Sequence, residues 1–257
     1  MKGALNSLNS SKSPGPDQIH PRILKELSVE ISYPLVKLFH KTLAEGKIPH
    51  EWKLAEVRPI FKKGVRSSPN NYRPVSLTCI ICKVFESFIR NALFEHIVTS
   101  NLLADCQFGF CPGRSCVTQL LTTLDEWFKF LDNKIPVDAA YMDFRKAFDS
   151  VPHKRLILKL EIYGVGGNIL KWVEDFLTDR EQYVSVEGQN STKMKVSSGV
   201  PQGSVLGPTL FIYYINDLPD VISTMKKLFA DDAKASTQLD NEEYQINLQN
   251  TINNMDL

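Results

Sequence analysis

The feature that most constrains this chain is a pair of adjacent carboxylates, Asp231 and Asp232, set in K-L-F-A-D-D-A (Lys227 to Ala233) between an apolar run and a further strand-like residue. Asp disfavours strands and its charge resists burial, so the pair belongs at the tip of a hairpin where water or a cation reaches both side chains. A divalent metal is one resolution of their repulsion, because hard ions such as Mg²⁺ take one or two protein carboxylates together with substrate phosphates. A solvated turn is the other, since Asp is a common turn former. The choice depends on whether the chain supplies a third carboxylate.

One candidate lies upstream. V-D-A-A-Y-M-D-F, Val137 to Phe144, is apolar enough to be an interior strand and carries Asp143 near its end, ahead of R-K-A-F-D, Arg145 to Asp149. A carboxylate at the end of a buried strand needs a partner, and Asp231 on a neighbouring strand, joined to it through a metal, would provide one. Asp143 as the cap of a short following helix is the alternative.

The 257 residues, 43% of them hydrophobic, can bury a sizeable core as one large or two small domains. A net charge of +1, from 30 basic and 29 acidic residues, makes no case for a nucleic-acid partner by its total. Its distribution does more: Lys53 to Arg90 holds eight Lys or Arg and two Glu, and the carboxylates crowd into the second half. Such segregation suits a ligand carrying both phosphate and metal, although a basic cluster on a solvated face produces the same pattern. Five cysteines, with no apolar signal segment after Met1, predict free thiols in an intracellular protein. Cys79 and Cys82 form a C-x-x-C without a second pair, inside L-T-C-I-I-C-K-V-F, and read as buried structural thiols. No run of eighteen apolar residues is present, so no membrane span is expected.

Taken in order, the first twenty residues include the turn-dense S-P-G-P-D-Q, Ser13 to Gln18, where no regular element is expected. Helices are predicted over Pro21 to Leu27 and Pro34 to Ala44, the latter stopping at Gly46. A strand follows over Trp52 to Ile60, with a basic tip at Lys62 and Lys63. Arg73 precedes a proline in N-N-Y-R-P-V-S-L and is therefore extended. Further helices are predicted over Lys83 to Val98, Val117 to Leu131, Lys154 to Tyr163, Asn168 to Leu177 and Thr209 to Asn216. Gln182 to Glu187 and Thr192 to Ser197 alternate as a hairpin around Gly-Gln-Asn, and Asp240 with Glu243 reads as the capping box of a last helix.

Six stretches, K-S-P-G-P-D, N-Y-R-P-V-S-L, Q-F-G-F-C-P-G-R-S, Y-M-D-F-R-K-A-F-D-S-V, S-S-G-V-P-Q-G-S-V-L-G-P and F-A-D-D, stand in an order that resembles the reverse transcriptase domain of non-LTR (LINE-type) retrotransposons. The resemblance runs from about Lys12 to Thr237. It implies an α+β fold of right-hand polymerase fingers and palm, with an antiparallel palm sheet backed by helices. Fingers are expected mainly over residues 1–115 plus the hairpin at 182–197, and palm over the rest of 116–257. No thumb and no preceding endonuclease are expected within the chain.

The implied activity is RNA-directed DNA polymerisation, with an RNA template, a DNA primer and dNTPs as partners. Two Mg²⁺ ions are the implied cofactors, with Mn²⁺ as a substitute. Asp143 and Asp231 are the implied metal ligands and Asp232 the third catalytic carboxylate. Lys62 or Lys63 and Arg73 match residues that hold the triphosphate, tasks suited to a point charge and a bidentate guanidinium. Phe148 matches the ring that excludes a 2′-hydroxyl, and Gln202 the loop amide near the template base and nucleotide. Gly199, Gly203 and Gly207 read as backbone necessities.

The chain departs from the family at Gln18, where Gly is common, and at Cys111, where Arg is common. An inactive remnant that only binds nucleic acid is the alternative function. An RNA-dependent RNA polymerase shares the palm carboxylates, but Phe148 and the loop order argue against it. Nuclear localisation is expected from the family alone, since no signal is seen.

Overall fold

The computed structural model describes residues 1–255. Helix α1 (Lys2–Asn6) was not expected; Leu5 is fully buried, and Asn6 accepts a hydrogen bond from the Ser28 hydroxyl (2.7 Å). Helix α2 (Pro21–Glu26) begins on proline, where the missing N–H costs nothing. Helix α3 (Ser28–Glu45) begins six residues ahead of the expected start, with Pro34 inside it. That proline forfeits one ladder bond, but packing against α1, where the buried Ser28 bonds Asn6, sustains the earlier turns, and Leu35 and Phe39 bury the later ones. Gly46, at φ 63°, ends the helix as the sequence predicts.

Strands β1 (Leu54–Phe61) and β2 (Tyr72–Leu77) pair antiparallel, and their register opposes Pro59 to Pro74. Two residues lacking N–H can face each other where the ladder bonds of that pair would point outward. Next come α4 (Ile80–Thr99), α5 (Cys116–Leu131), β3 (Val137–Asp143), α6 (Ala147–Ser150), α7 (His153–Ile162) and α8 (Gly167–Leu177). Helix α5 is fixed by a reciprocal cap between Ser115 and Thr118, while its Leu120, Leu121, Leu124 and Phe128 are exposed.

The remaining elements are β4 (Arg180–Val186), β5 (Gln189–Asn190), β6 (Met194–Val196), α9 (Gly207–Ile215), β7 (Met225–Phe229), β8 (Asp232–Gln238) and α10 (Glu242–Met255). The turn after β4 is Glu187-Gly188, with φ of 50° and 82°, so Gln189 and Asn190 pair with the strand instead of forming the turn. The cap of α10 is Asn241, whose side chain accepts from the Glu243 N–H (3.0 Å), one residue after the expected Asp240.

Contacts divide the fold into two units, one of Met1–His96 with Phe148–Leu210 and one of Ile97–Ala147 with the chain from Phe211 onward. The first holds a mixed sheet in the order β2-β1-β4-β5, β1 and β4 being parallel, with β6 antiparallel to β4. Its core is a chain of rings: Phe39 stacks on Phe85 (4.3 Å), Phe85 meets Trp172 edge-on (5.1 Å), and Trp172 stacks on Phe176 (5.4 Å). Each such pair contributes about 0.5–1.5 kcal/mol beyond area burial. Cys79 and Cys82 are buried as expected; burial pushes the Cys79 thiol up to about 12 and that of Cys82 well above its ordinary value.

The second unit holds an antiparallel sheet in the order β3-β8-β7. Among the described residues β3 is therefore an edge strand, not the interior strand its composition suggested, and β8 is central. Ala235 of β8 packs with Ile222, Leu248 and Ile252, placing α10 on one face of the sheet. Lys234 and Ser236 bond Thr123 and Trp127 of α5, which by strand alternation lies on the opposite face. No described helix is long and apolar enough to cross a membrane.

Candidate functional site

The hairpin β7–β8 closes at the pair Phe229 and Asp232, which leaves Ala230 and Asp231 as its two-residue turn. Ala230 has φ 57° and Asp231 does not share the positive sign, the pattern of a II′ turn, where glycine is favoured at the first central position. An L-residue there costs about 1–2 kcal/mol. Across the neighbouring ladder Asp143 stands directly opposite Asp232. Residues so opposed have Cβ atoms roughly 4.5–5.5 Å apart. The structure thus places the three carboxylates expected from the sequence at one end of one sheet, with Asp143 ending β3, Asp232 opening β8 and Asp231 in the turn between.

Their charges are felt locally. Burial first, then the neighbouring Asp231 and Asp143, push the Asp232 carboxyl above its ordinary range. Asp143 and Asp232 are exposed and Asp231 is half-buried. Among the described residues no group of three His, Cys, Asp or Glu side chains could hold a metal ion by itself. The donor set nevertheless fits Mg²⁺, which is held by one or two carboxylates and completes its octahedron with water and substrate phosphates.

What holds this turn was not foreseen. Gln107 is 1% exposed, and its Oε1 accepts from the backbone N–H of Gly109 (2.8 Å) and of Ala230 (2.9 Å). The segment around it runs beside β7: Phe108 N donates to Leu228 O and Leu228 N to Cys106 O, both at 2.8 Å. Gly109 lies so close under the turn that a Cβ there would come within 3.0 Å of Ala230 Cα. Arg114 completes the support, donating from Nη1 to the carbonyls of Ala104, Asp105 and Gln107 (3.2, 2.8 and 2.6 Å). Cys111, a departure from the family pattern, is buried, and its thiol donates to Gly109 O (3.3 Å). On the far side of the hairpin, Lys227 and Lys234 oppose each other; Lys227 is paired with Glu126 (2.6 Å), and Lys234 donates to Thr123.

The other predicted residues lie in the first unit. Lys62 and Lys63 are exposed just beyond β1, where Lys62 N donates to Asn71 O (2.9 Å), and Arg73 is exposed on β2 opposite Ile60. Phe148 is half-buried. Gln202 donates from Nε2 to Asp149 Oδ1 (2.7 Å), and its carbonyl accepts from Ser76 N (3.1 Å). Val200 N bonds Phe148 O (2.8 Å), so one loop grips both the Phe148 segment and β2 three residues beyond Arg73. Two glycines make that grip possible. Gly199 (φ 87°) sits where a Cβ would come 2.7 Å from Asp149 Cα, and Gly203 (φ 107°) lies against the Ser76 carbonyl. Gln18, the other departure from the family, adopts φ 58°, a conformation that suits the glycine common there.

The sequence of the chain is similar to those of known proteins. Residues 60–256 match the family described as reverse transcriptase (RNA-dependent DNA polymerase). The chain is 35% identical over 223 residues to the probable RNA-directed DNA polymerase from transposon BS of Drosophila melanogaster, covering 84% of this chain and 24% of that protein. It is 31% identical over 226 residues to the RNA-directed DNA polymerase from mobile element jockey of the same organism, covering 85% and 24%. With the Pol polyprotein of the type-1 retrotransposable element R1 of Bradysia coprophila it shares 28% identity over 214 residues, covering 80% and 20%. The chain spans about a quarter of the length of the first two of these relatives.

Proposed function

The chain belongs to the reverse transcriptase (RNA-dependent DNA polymerase) family, and from that premise we propose that it carries the fingers and palm of a non-LTR retrotransposon polymerase that extends a primer 3′-hydroxyl with dNTPs on an RNA template. The observation that carries the reading is the opposition of Asp143 and Asp232 across β3–β8 with Asp231 in the adjoining turn. The β3-β8-β7 sheet is the palm sheet in this reading, and β1 and β2 belong to the fingers.

Asp143 and Asp231 would hold two Mg²⁺ ions, with Asp232 as the third carboxylate. When bound, the ions supply Lewis-acid activation of the 3′-hydroxyl and neutralise charge on the triphosphate and the leaving pyrophosphate. Lys62 or Lys63 and Arg73 orient the triphosphate by point charge and bidentate contact. Phe148 lies under the incoming sugar and excludes a 2′-hydroxyl by its bulk. Gln202, fixed by Asp149, lines the nucleotide and template base. Integration into a chromosome would require nuclear access.

The test is single-nucleotide extension of a primer annealed to RNA, with Mg²⁺ or Mn²⁺, comparing the chain with its Asp231→Ala variant. Extension that is lost in the variant supports the reading. Undiminished incorporation by Asp231→Ala defeats the metal assignment, and template binding without extension by the unmodified chain favours a protein that only binds nucleic acid.

A further inference from the structure

We infer that Gln107 is a positioning residue for the carboxylate turn: its side-chain oxygen, by accepting the Ala230 N–H, holds the strained residue that presents Asp231 and Asp232 to metal. The inference rests on the reading of those carboxylates as metal ligands. Ala230 adopts a left-handed conformation that an L-residue avoids unless its surroundings impose it. The buried Oε1 of Gln107 ties Ala230 N to Gly109 N through one acceptor, across 123 residues of sequence.

Two further observations assign the role to the oxygen. Both neighbouring groups are donors, so only the carbonyl side of the amide can face them. The Nε2 atom is buried with no hydrogen-bond partner, so the nitrogen end adds nothing to the hold. Behind Gln107, Arg114 fixes the backbone carbonyl of the same residue at 2.6 Å, so the acceptor is mounted on a braced segment. A glutamine whose worth lay only in filling space would not need its oxygen aimed at the turn.

The test uses the whole chain and two readouts: hydrogen exchange of the peptide containing the Ala230 amide, and Mn²⁺ affinity followed by electron paramagnetic resonance. Gln107→Leu removes the acceptor. Gln107→Met fills much the same space without the carbonyl acceptor and adds no charge. Gln107→Leu is expected to speed exchange at Ala230 at least tenfold and weaken Mn²⁺ binding at least fivefold, with an unchanged far-ultraviolet circular dichroism spectrum. Gln107→Met is expected to lose both as Gln107→Leu does. Should Gln107→Leu fail to fold, Gln107→Asn takes its place, since it keeps the amide but withdraws it by one methylene.

Mn²⁺ affinity within twofold of the unmodified chain in Gln107→Leu overturns the inference, as does a Gln107→Met protein that matches the unmodified chain in both readouts. Asp231→Ala separates the two claims. Loss of Mn²⁺ binding in Asp231→Ala but not in Gln107→Leu defeats the inference alone. Full Mn²⁺ affinity in Asp231→Ala defeats the carboxylate reading, and the inference about metal presentation falls with it.

Discussion

Replacing Gly109 by alanine perturbs the carboxylate turn by sterics alone, without touching a charge or a donor. The new Cβ would lie 2.8 Å from Phe229 C and 3.0 Å from Ala230 Cα, and closer still to Ala230 N, where ordinary contact begins at 3.4 Å. These are backbone atoms on both sides, so no side-chain rotamer relieves the clash, and the turn must retreat by about 1 Å. A misplacement of that size costs on the order of 10²-fold in rate when it moves groups that touch reacting atoms. Overpacking of this kind also costs roughly 1–3 kcal/mol of stability, a fall in Tm on the order of 5 °C for a chain of this length. The assay is single-turnover primer extension at 25 °C, below the variant's melting transition, with Mn²⁺ affinity measured alongside. The expected result is a drop in kcat near a hundredfold with dNTP KM changed far less, because Lys62, Lys63 and Arg73, proposed above to hold the triphosphate, lie in the other unit. A variant with unmodified kcat and Mn²⁺ affinity would refute the claim that this glycine sets the position of the turn.

Two other perturbations follow from the same geometry. Glu86 is fully buried, and its Oε2 accepts from Val205 N (2.6 Å) and Leu206 N (3.0 Å) at the start of α9, near the buried Arg180. Glu86→Gln should cost about 1–3 kcal/mol and Glu86→Ala about 3–5 kcal/mol in urea unfolding, because the alanine variant orphans two donors and a cation; equal effects of the two would contradict this. The raised pKa of Asp232 predicts the sign of a pH effect. A carboxyl whose folded pKa lies above its unfolded value destabilises the fold fully above that folded pKa, and the penalty fades as pH falls through it and is gone below the unfolded value. Asp143→Asn removes one of the two repelling charges, so it should raise stability at pH 7 by a few tenths of a kcal/mol, given the exposure of the pair. The gain should shrink as the pH is lowered through the carboxylate range. A stability difference independent of pH between 3 and 7 would count against the coupling.

The hairpin at Asp231 and Asp232 was legible because local physics leaves little choice: two charges after an apolar run have to be at a tip. Helices and their stops were legible for the same reason, as at Gly46, whereas the cap at Ser115 came only with the structure. Boundaries failed where tertiary contact outweighed a local signal. Pro34 looked like a helix start, yet the packing of α1, itself unforeseen, let α3 begin at Ser28. The apolar composition of β3 suggested an interior strand, yet strand order puts it at an edge and gives the centre to β8, whose Lys, Ser and Thr residues are buried. Gln107 was illegible in principle, since an amide in a glycine-rich loop carries no mark of the strand it will support 123 residues later.

Local rules are broken together at one place: an alanine in a conformation that favours glycine, carboxylates set opposite each other, and a buried amide nitrogen without a partner. Each alone is an ordinary imperfection worth a kcal/mol or so. Their convergence on the turn that carries Asp231 is what a site for a cation predicts, because bound positive charge would relieve the repulsion and recover part of the strain. It follows that Mg²⁺ or Mn²⁺ should stabilise the unmodified chain by RT ln(1 + [L]/Kd), a rise in Tm with metal concentration that Asp231→Ala should abolish. An equal rise in both proteins would place the ion elsewhere and leave the strain at Ala230 to be explained by folding alone.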